Sequence, residues 1–139
     1  METLPIRLLP GQDLRRALEA VVGEGCDAAF VMSGIGSLSP AILRLAGATG
    51  LTTITGDTEI LTLSGSIAGH ASHLHASVSD AQGVVTGGHV AYGCTVRTTA
   101  EVLLALLPDW RFSREPDAAT GFDELVVRRA AGSATGDGA

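Results

Sequence analysis

The 139-residue chain reads as a single α+β domain, a largely antiparallel sheet of about seven strands with one or two helices. Three observations predict this. Apolar and polar residues alternate with period two over many short segments separated by Gly, Pro and Asp. Only one stretch, Leu14 to Val22, repeats its apolar residues at clear helical spacing. Hydrophobic residues make up 45% and charged residues 17%, enough to bury a core at this length. With aromatics at 4%, that core has to be built from Leu, Val, Ile and Ala.

Thr3 to Leu9 places Leu4, Ile6 and Leu8 on one strand face, and Pro10-Gly11 ends it. Asp13 is an N-cap for the helix that follows, which packs Leu14, Ala17, Leu18, Val21 and Val22 on a sheet and turns Arg15, Arg16 and Glu19 to water. Gly23 and Gly25 stop it. Asp27 to Leu38 is a strand that runs into Ser33-Gly34-Ile35-Gly36. Two glycines so close mark a bulge or a close backbone approach, because the third glycine and following helix of a phosphate loop are missing. Ala41 to Ala46 and Leu51 to Thr55 are short strands. In the strand Thr58 to Ile67, Glu59 falls on an apolar face near the end and is expected to be partly buried. Cys94 to Thr98 is a strand, Thr99 caps a short helix over Ala100 to Leu107, and Pro108 ends it. Asp109 to Arg114 and Phe122 to Arg128 close the domain, assigned to residues 1–129. Residues 130–139 have nothing to bury and are expected to be a flexible tail.

All four histidines, His70, His73, His75 and His89, fall within residues 70–93. The segment from His73 to Val90 alternates around Asp80-Ala81-Gln82-Gly83, as a β-hairpin does. His73 and His75 share a strand face. With a two-residue loop, His75 sits opposite Gly88 and His89 points away. With a three-residue loop over Ala81 to Gly83, Gly83 takes the left-handed position and His75 sits directly opposite His89. The second register collects three imidazoles, the donor set of a divalent transition metal, zinc first, with a fourth position open. The bland alternative is three polar residues on a solvated face or in a subunit interface. His70 lies outside the alternation and reads as a loop residue.

Formal net charge is −6, and all nine cations are arginine. No basic stripe is visible, and Arg15-Arg16 and Arg128-Arg129 read as solvated pairs, which argues against non-specific nucleic-acid binding. Cys26 and Cys94 lie in apolar, strand-like surroundings. Without a signal-peptide pattern or an apolar run of membrane-spanning length, they read as reduced thiols of a cytoplasmic protein. The sparse charge suggests that part of the surface is covered in an oligomer.

Five ordered motifs carry a family resemblance. They are Arg7-Leu8-Leu9-Pro10-Gly11-Gln12-Asp13-Leu14, Ser33-Gly34-Ile35-Gly36-Ser37-Leu38, Thr58-Glu59-Ile60-Leu61-Thr62-Leu63-Ser64-Gly65, His73-Leu74-His75 and Gly87-Gly88-His89. Over residues 4–129 the chain resembles the PPC domain (plants and prokaryotes conserved), also known as domain of unknown function 296. The resemblance implies a homotrimer. In plants the domain follows AT-hook peptides that bind the DNA minor groove; the Arg-Gly-Arg-Pro hook is absent here. More distantly, the fold is similar to that of acetolactate decarboxylase, whose zinc is held by a His-x-His pair and a later histidine, an order that His73, His75 and His89 match. That similarity implies a pocket which Glu59, Arg97 and Glu101 could line. Three roles follow: a metal-binding protein acting on a small molecule, with Glu59 or Glu101 as acid or base; a DNA-binding or protein-interaction module with any metal incidental; or a structural role for the histidines at a subunit interface.

Overall fold

The computed structural model describes residues 1–23 and 25–131 and contains ten strands and one helix. In chain order these are β1 (Glu2–Leu8), α1 (Leu14–Gly23), β2 (Ala29–Leu38), β3 (Ala41–Arg44), β4 (Thr52–Ile54) and β5 (Thr58–Ala68). They continue with β6 (Ala71–Ser79), β7 (Val85–Val90), β8 (Val96–Leu106), β9 (Trp110–Asp117) and β10 (Phe122–Arg129). Eight strands form one sheet in the order β1-β8-β2-β5-β6-β7-β3-β4, every pair antiparallel, and β9 and β10 form a separate hairpin. The expected α+β, largely antiparallel fold is what the chain adopts, with more strands and a single helix.

Asp13 caps α1 as expected: its Oδ1 accepts the Arg16 amide at 3.0 Å. The carboxylate's second oxygen accepts the Gly93 amide at 2.6 Å, tying the helix start to the loop after β7. Leu14, Leu18 and Val22 are buried against the sheet, joining Leu38, Leu43, Ile67, Leu74 and Leu104 in one aliphatic core. Cys94 is buried, Cys26 is half-buried, and both are free thiols.

The expected second helix over Ala100 to Leu107 is instead the C-terminal part of β8, with Leu107 just past its end, and it pairs with β1 on one side and β2 on the other. Helix propensity there yields to tertiary pairing. Ala100, Val102 and Leu104 are buried while Glu101 and Leu103 are exposed, the period of a strand. The Gly34-Ile35-Gly36 segment is a close backbone approach. The β2–β8 ladder slips between Gly36 and Leu38, and a side chain at Gly36 (φ 147°) would collide with the backbone of Thr99 and Ala100.

Glu59 is exposed, contrary to the expected partial burial. A register shift between Ile60 and Thr62 sends Ile60 and Leu63 to the core and leaves Leu61 outside, so the simple alternation does not run through. The β9–β10 hairpin packs Phe112 on Ala28 and Ala68, and its ring meets Phe30 edge-on at 5.6 Å between centroids. The Ala130 amide donates to the Asp109 carbonyl at 2.9 Å, extending that hairpin by one bond. The rest of the expected tail, from residue 132 on, lies outside the described residues.

Candidate metal centre

The loop between β6 and β7 fixes the site. The Asp80 amide donates to the Val84 carbonyl, and the Gly83 amide donates back to the Asp80 carbonyl, both at 3.0 Å. Asp80 Oδ1 accepts the Gln82 and Val84 amides at 2.9 Å each. Gly83 stands at φ 79°, the left-handed position of a three-residue loop. From that loop the pairing runs Ser79 to Val85, Val78 to Thr86, Ser77 to Gly87, Ala76 to Gly88 and His75 to His89. His73 is two residues before His75 on the face away from buried Leu74, Ala76 and Val78.

The three imidazoles converge. One nitrogen from each of His73, His75 and His89 lies within 4.8 Å of the other two, and Nε2 of His73 and Nε2 of His75 are 3.0 Å apart. Burial pulls His89 down to about 4, and the guanidinium of Arg15 pushes the same way. Burial also lowers His73, helped by the neighbouring His75. Both rings are therefore neutral at pH 7 and can offer lone pairs, the form in which histidine ligates metal. Nδ1 of His89 is buried with no hydrogen-bond partner among the described residues, an unusual state for a ring nitrogen in a folded protein. Close spacing, neutrality and an unpartnered nitrogen together fit a divalent ion.

A second layer, which sequence reasoning missed, holds this triad from the helix side. Arg15 and Glu19 do not face water. Arg15 Nε donates to Glu19 Oε1 and to the Ser72 hydroxyl, each at 3.0 Å. Its Nη2 donates to the Ser72 carbonyl at 2.9 Å and its Nη1 to the Val90 carbonyl at 3.3 Å. Glu19, 7% exposed, also accepts from the Ser72 hydroxyl at 2.6 Å and from the Tyr92 hydroxyl at 3.0 Å. The Tyr92 ring lies under the Arg15 guanidinium at 4.3 Å. One helical ion pair thus grips β6 one residue before His73 and β7 one residue after His89.

Beside the triad a cavity of about 460 Å³ is lined by His73, His89, Arg15, Arg44, Arg114 and Glu124, among others. Arg44 is brought there because β3 pairs it directly with His89. Arg114 and Glu124 come from the β9–β10 hairpin, with Arg114 Nη2 donating to the Ser66 hydroxyl at 2.7 Å. Nothing local in the sequence marks these residues, since their placement rests on pairings across 45 residues or more.

Glu59, Arg97 and Glu101 are not brought to the imidazoles. Glu59 pairs with Ser79 whereas His75 pairs with Ser64, a separation of about 16 Å along the strand. Arg97 forms an exposed ion pair with Asp57 at 2.9 Å. Glu101 lies on β8, opposite Arg7 and Ile35, with β2 and β5 between it and the histidine hairpin. His70 is exposed in the turn between β5 and β6, outside the cluster. No helix among the described residues is long and apolar enough to cross a membrane.

Comparison with known proteins agrees with this architecture. A bifunctional protein GlmU of Synechococcus is 48% identical over 133 residues, 95% of this chain but 21% of that protein. The chain thus spans about a fifth of the length of the curated relatives it matches, at 21%. A hypothetical protein of Salmonella enterica has a solved structure that superposes with a TM-score of 0.88 at 42% identity, covering 92% of this chain and 94% of that one. A metal-containing protein of Archaeoglobus fulgidus superposes with a TM-score of 0.76 at 26% identity, covering 91% and 94%. The model of the Plants and Prokaryotes Conserved domain matches residues 1–108, which carry all five motifs and the whole histidine hairpin, and the chain belongs to that family.

Proposed function

We propose that His73, His75 and His89 hold one divalent transition metal, zinc first, and that the adjoining cavity presents a small molecule to it. The observation that carries the reading is the convergence of three nitrogens within 4.8 Å on a hairpin whose loop sets their register. The metal-containing relative from Archaeoglobus supports it. A metal held by these three imidazoles would supply a Lewis acid able to polarise a carbonyl or acidify a water. To Glu124, which lines the cavity and whose charge is felt at His73, we assign proton transfer there, rather than to Glu59 or Glu101.

The test is metal analysis of untagged protein that has never met a nickel column. About one equivalent of zinc per chain is expected after loading and desalting, falling several-fold in His75→Ala and His89→Ala. Equal retention by wild type and both variants would defeat the proposal, as would failure of the wild type to retain metal.

Self-association is part of the same reading. Met32, Ile35 and Leu103 are 59%, 54% and 39% exposed on neighbouring strands β2 and β8. Such a row is expected to be covered by further copies of the chain, in the trimer that the family resemblance implies. The free thiols of Cys26 and Cys94 suit a reducing cytoplasm.

A further inference from the structure

We infer that the cavity beside the histidines is an oxyanion site, built to receive the carboxylate or phosphate group of a small metabolite. This rests on the metal reading for the ligand's second anchor but not for the anion site itself. Three guanidiniums, from Arg15, Arg44 and Arg114, line one cavity of about 460 Å³, a size that suits a small molecule. They differ in what they already hold.

Arg15 is committed: Glu19 neutralises it at 3.0 Å, and its remaining donors go to Ser72 and Val90. Among the described residues the Arg114 side chain has only the Ser66 hydroxyl as a hydrogen-bond partner, and burial lowers it from the ordinary arginine value, with Glu124 offsetting part of that. A partly desolvated cation of this kind gains from a counter-anion. The Arg44 side chain has no hydrogen bond or ion pair among the described residues, although β3 holds it directly opposite His89. Asp123 and Glu124 also line the cavity, yet neither comes within ion-pair distance of Arg44 or Arg114 among the described residues. Two guanidiniums with uncommitted donors therefore line one space that His73 and His89 also line. A planar fork of N–H donors matches the paired oxygens of a carboxylate or phosphate.

The experiment is calorimetric titration of inorganic phosphate and of succinate into zinc-loaded and metal-free protein, with Arg44→Gln and Arg114→Gln alongside wild type. Both substitutions lie away from the aliphatic core, and thermal melts confirm that the variants fold. Wild type is expected to bind at least one of the anions, about tenfold more tightly than either variant, the scale of one charge-assisted contact. Zinc content should be the same in all three proteins. The preferred probe identifies the group, phosphate or carboxylate. Equal anion binding by wild type and variants, or none by wild type in either metal state, overturns the inference. Loss of zinc retention by wild type with anion binding intact would overturn the metal proposal and leave the oxyanion site standing.

Discussion

The Nη1 of Arg15 stands 3.5 Å from Nε2 of His89. A guanidinium brings positive charge and only N–H donors to the ring, so its nearness opposes a second proton there. A residue on the helix thereby helps keep one imidazole of the hairpin neutral.

That relationship predicts a pH dependence in metal-free protein. His89 titrates near 4 when folded, against 6.5 ordinarily. Between those values the unfolded chain holds a proton that the folded one lacks, so stability rises with pH across the window. It is lost as pH falls from about 6.5 towards about 4, with His73 acting in the same direction. Urea midpoints measured from pH 7 to pH 4 should fall more steeply for wild type than for His89→Gln. Parallel curves would show that His89 carries none of the dependence.

Glu19 should be among the costliest single polar positions in the chain. Its removal strands the Arg15 charge, which is 16% exposed, and leaves the Ser72 and Tyr92 hydroxyls without their acceptor. Glu19→Ala is expected to lower unfolding free energy by about 3–5 kcal/mol, the range for breaking one partner out of a buried pair. A loss below about 1 kcal/mol by chemical denaturation, the level of a surface pair, would show that the network is solvated in solution.

Gly83 should be intolerant of a side chain for a reason of backbone alone. At φ 79° with open space around it, Gly83→Ala meets no atom yet must adopt the left-handed conformation. The expected cost is about 1–2 kcal/mol. Because the turn sets which residues face each other, zinc affinity should fall as well. Unchanged affinity would mean that the strands hold their registry without the loop.

The exposed row on β2 and β8 gives a prediction for assembly. Ile35→Glu puts a charge in the centre of a groove of about 580 Å³ lined also by Pro5, Arg7, Glu101 and Leu103. Sedimentation should show wild type as an oligomer and the variant shifted towards single chains. A monomeric wild type would remove the self-association reading.

The hairpin was legible before any coordinates because a strand has a period of two and a loop glycine has a restricted use. Those two facts chose between registers that differ by one residue. Residues 100–107 misled because Ala, Glu and Leu favour a helix in isolation, and only β1 and β2 on either side make them a strand. Arg15 and Glu19, four apart on a helix, look like any surface pair. What buries them is Ser72 and Tyr92, 53 and 73 residues from Glu19. Arg44, Arg114 and Glu124 were invisible for a similar reason, as no local pattern records which arginine a distant strand will deliver.

The β9–β10 hairpin spans Trp110–Asp117 and Phe122–Arg129, entirely beyond the residues 1–108 that match the family model. The imidazoles stand on β6 and β7 of the main sheet, whereas Arg114 and Glu124 stand on a hairpin that forms a two-stranded sheet of its own. Because the hairpin and the histidines sit on different sheets, substitutions along β9 and β10 would retune what the cavity admits while the donor triad stays put.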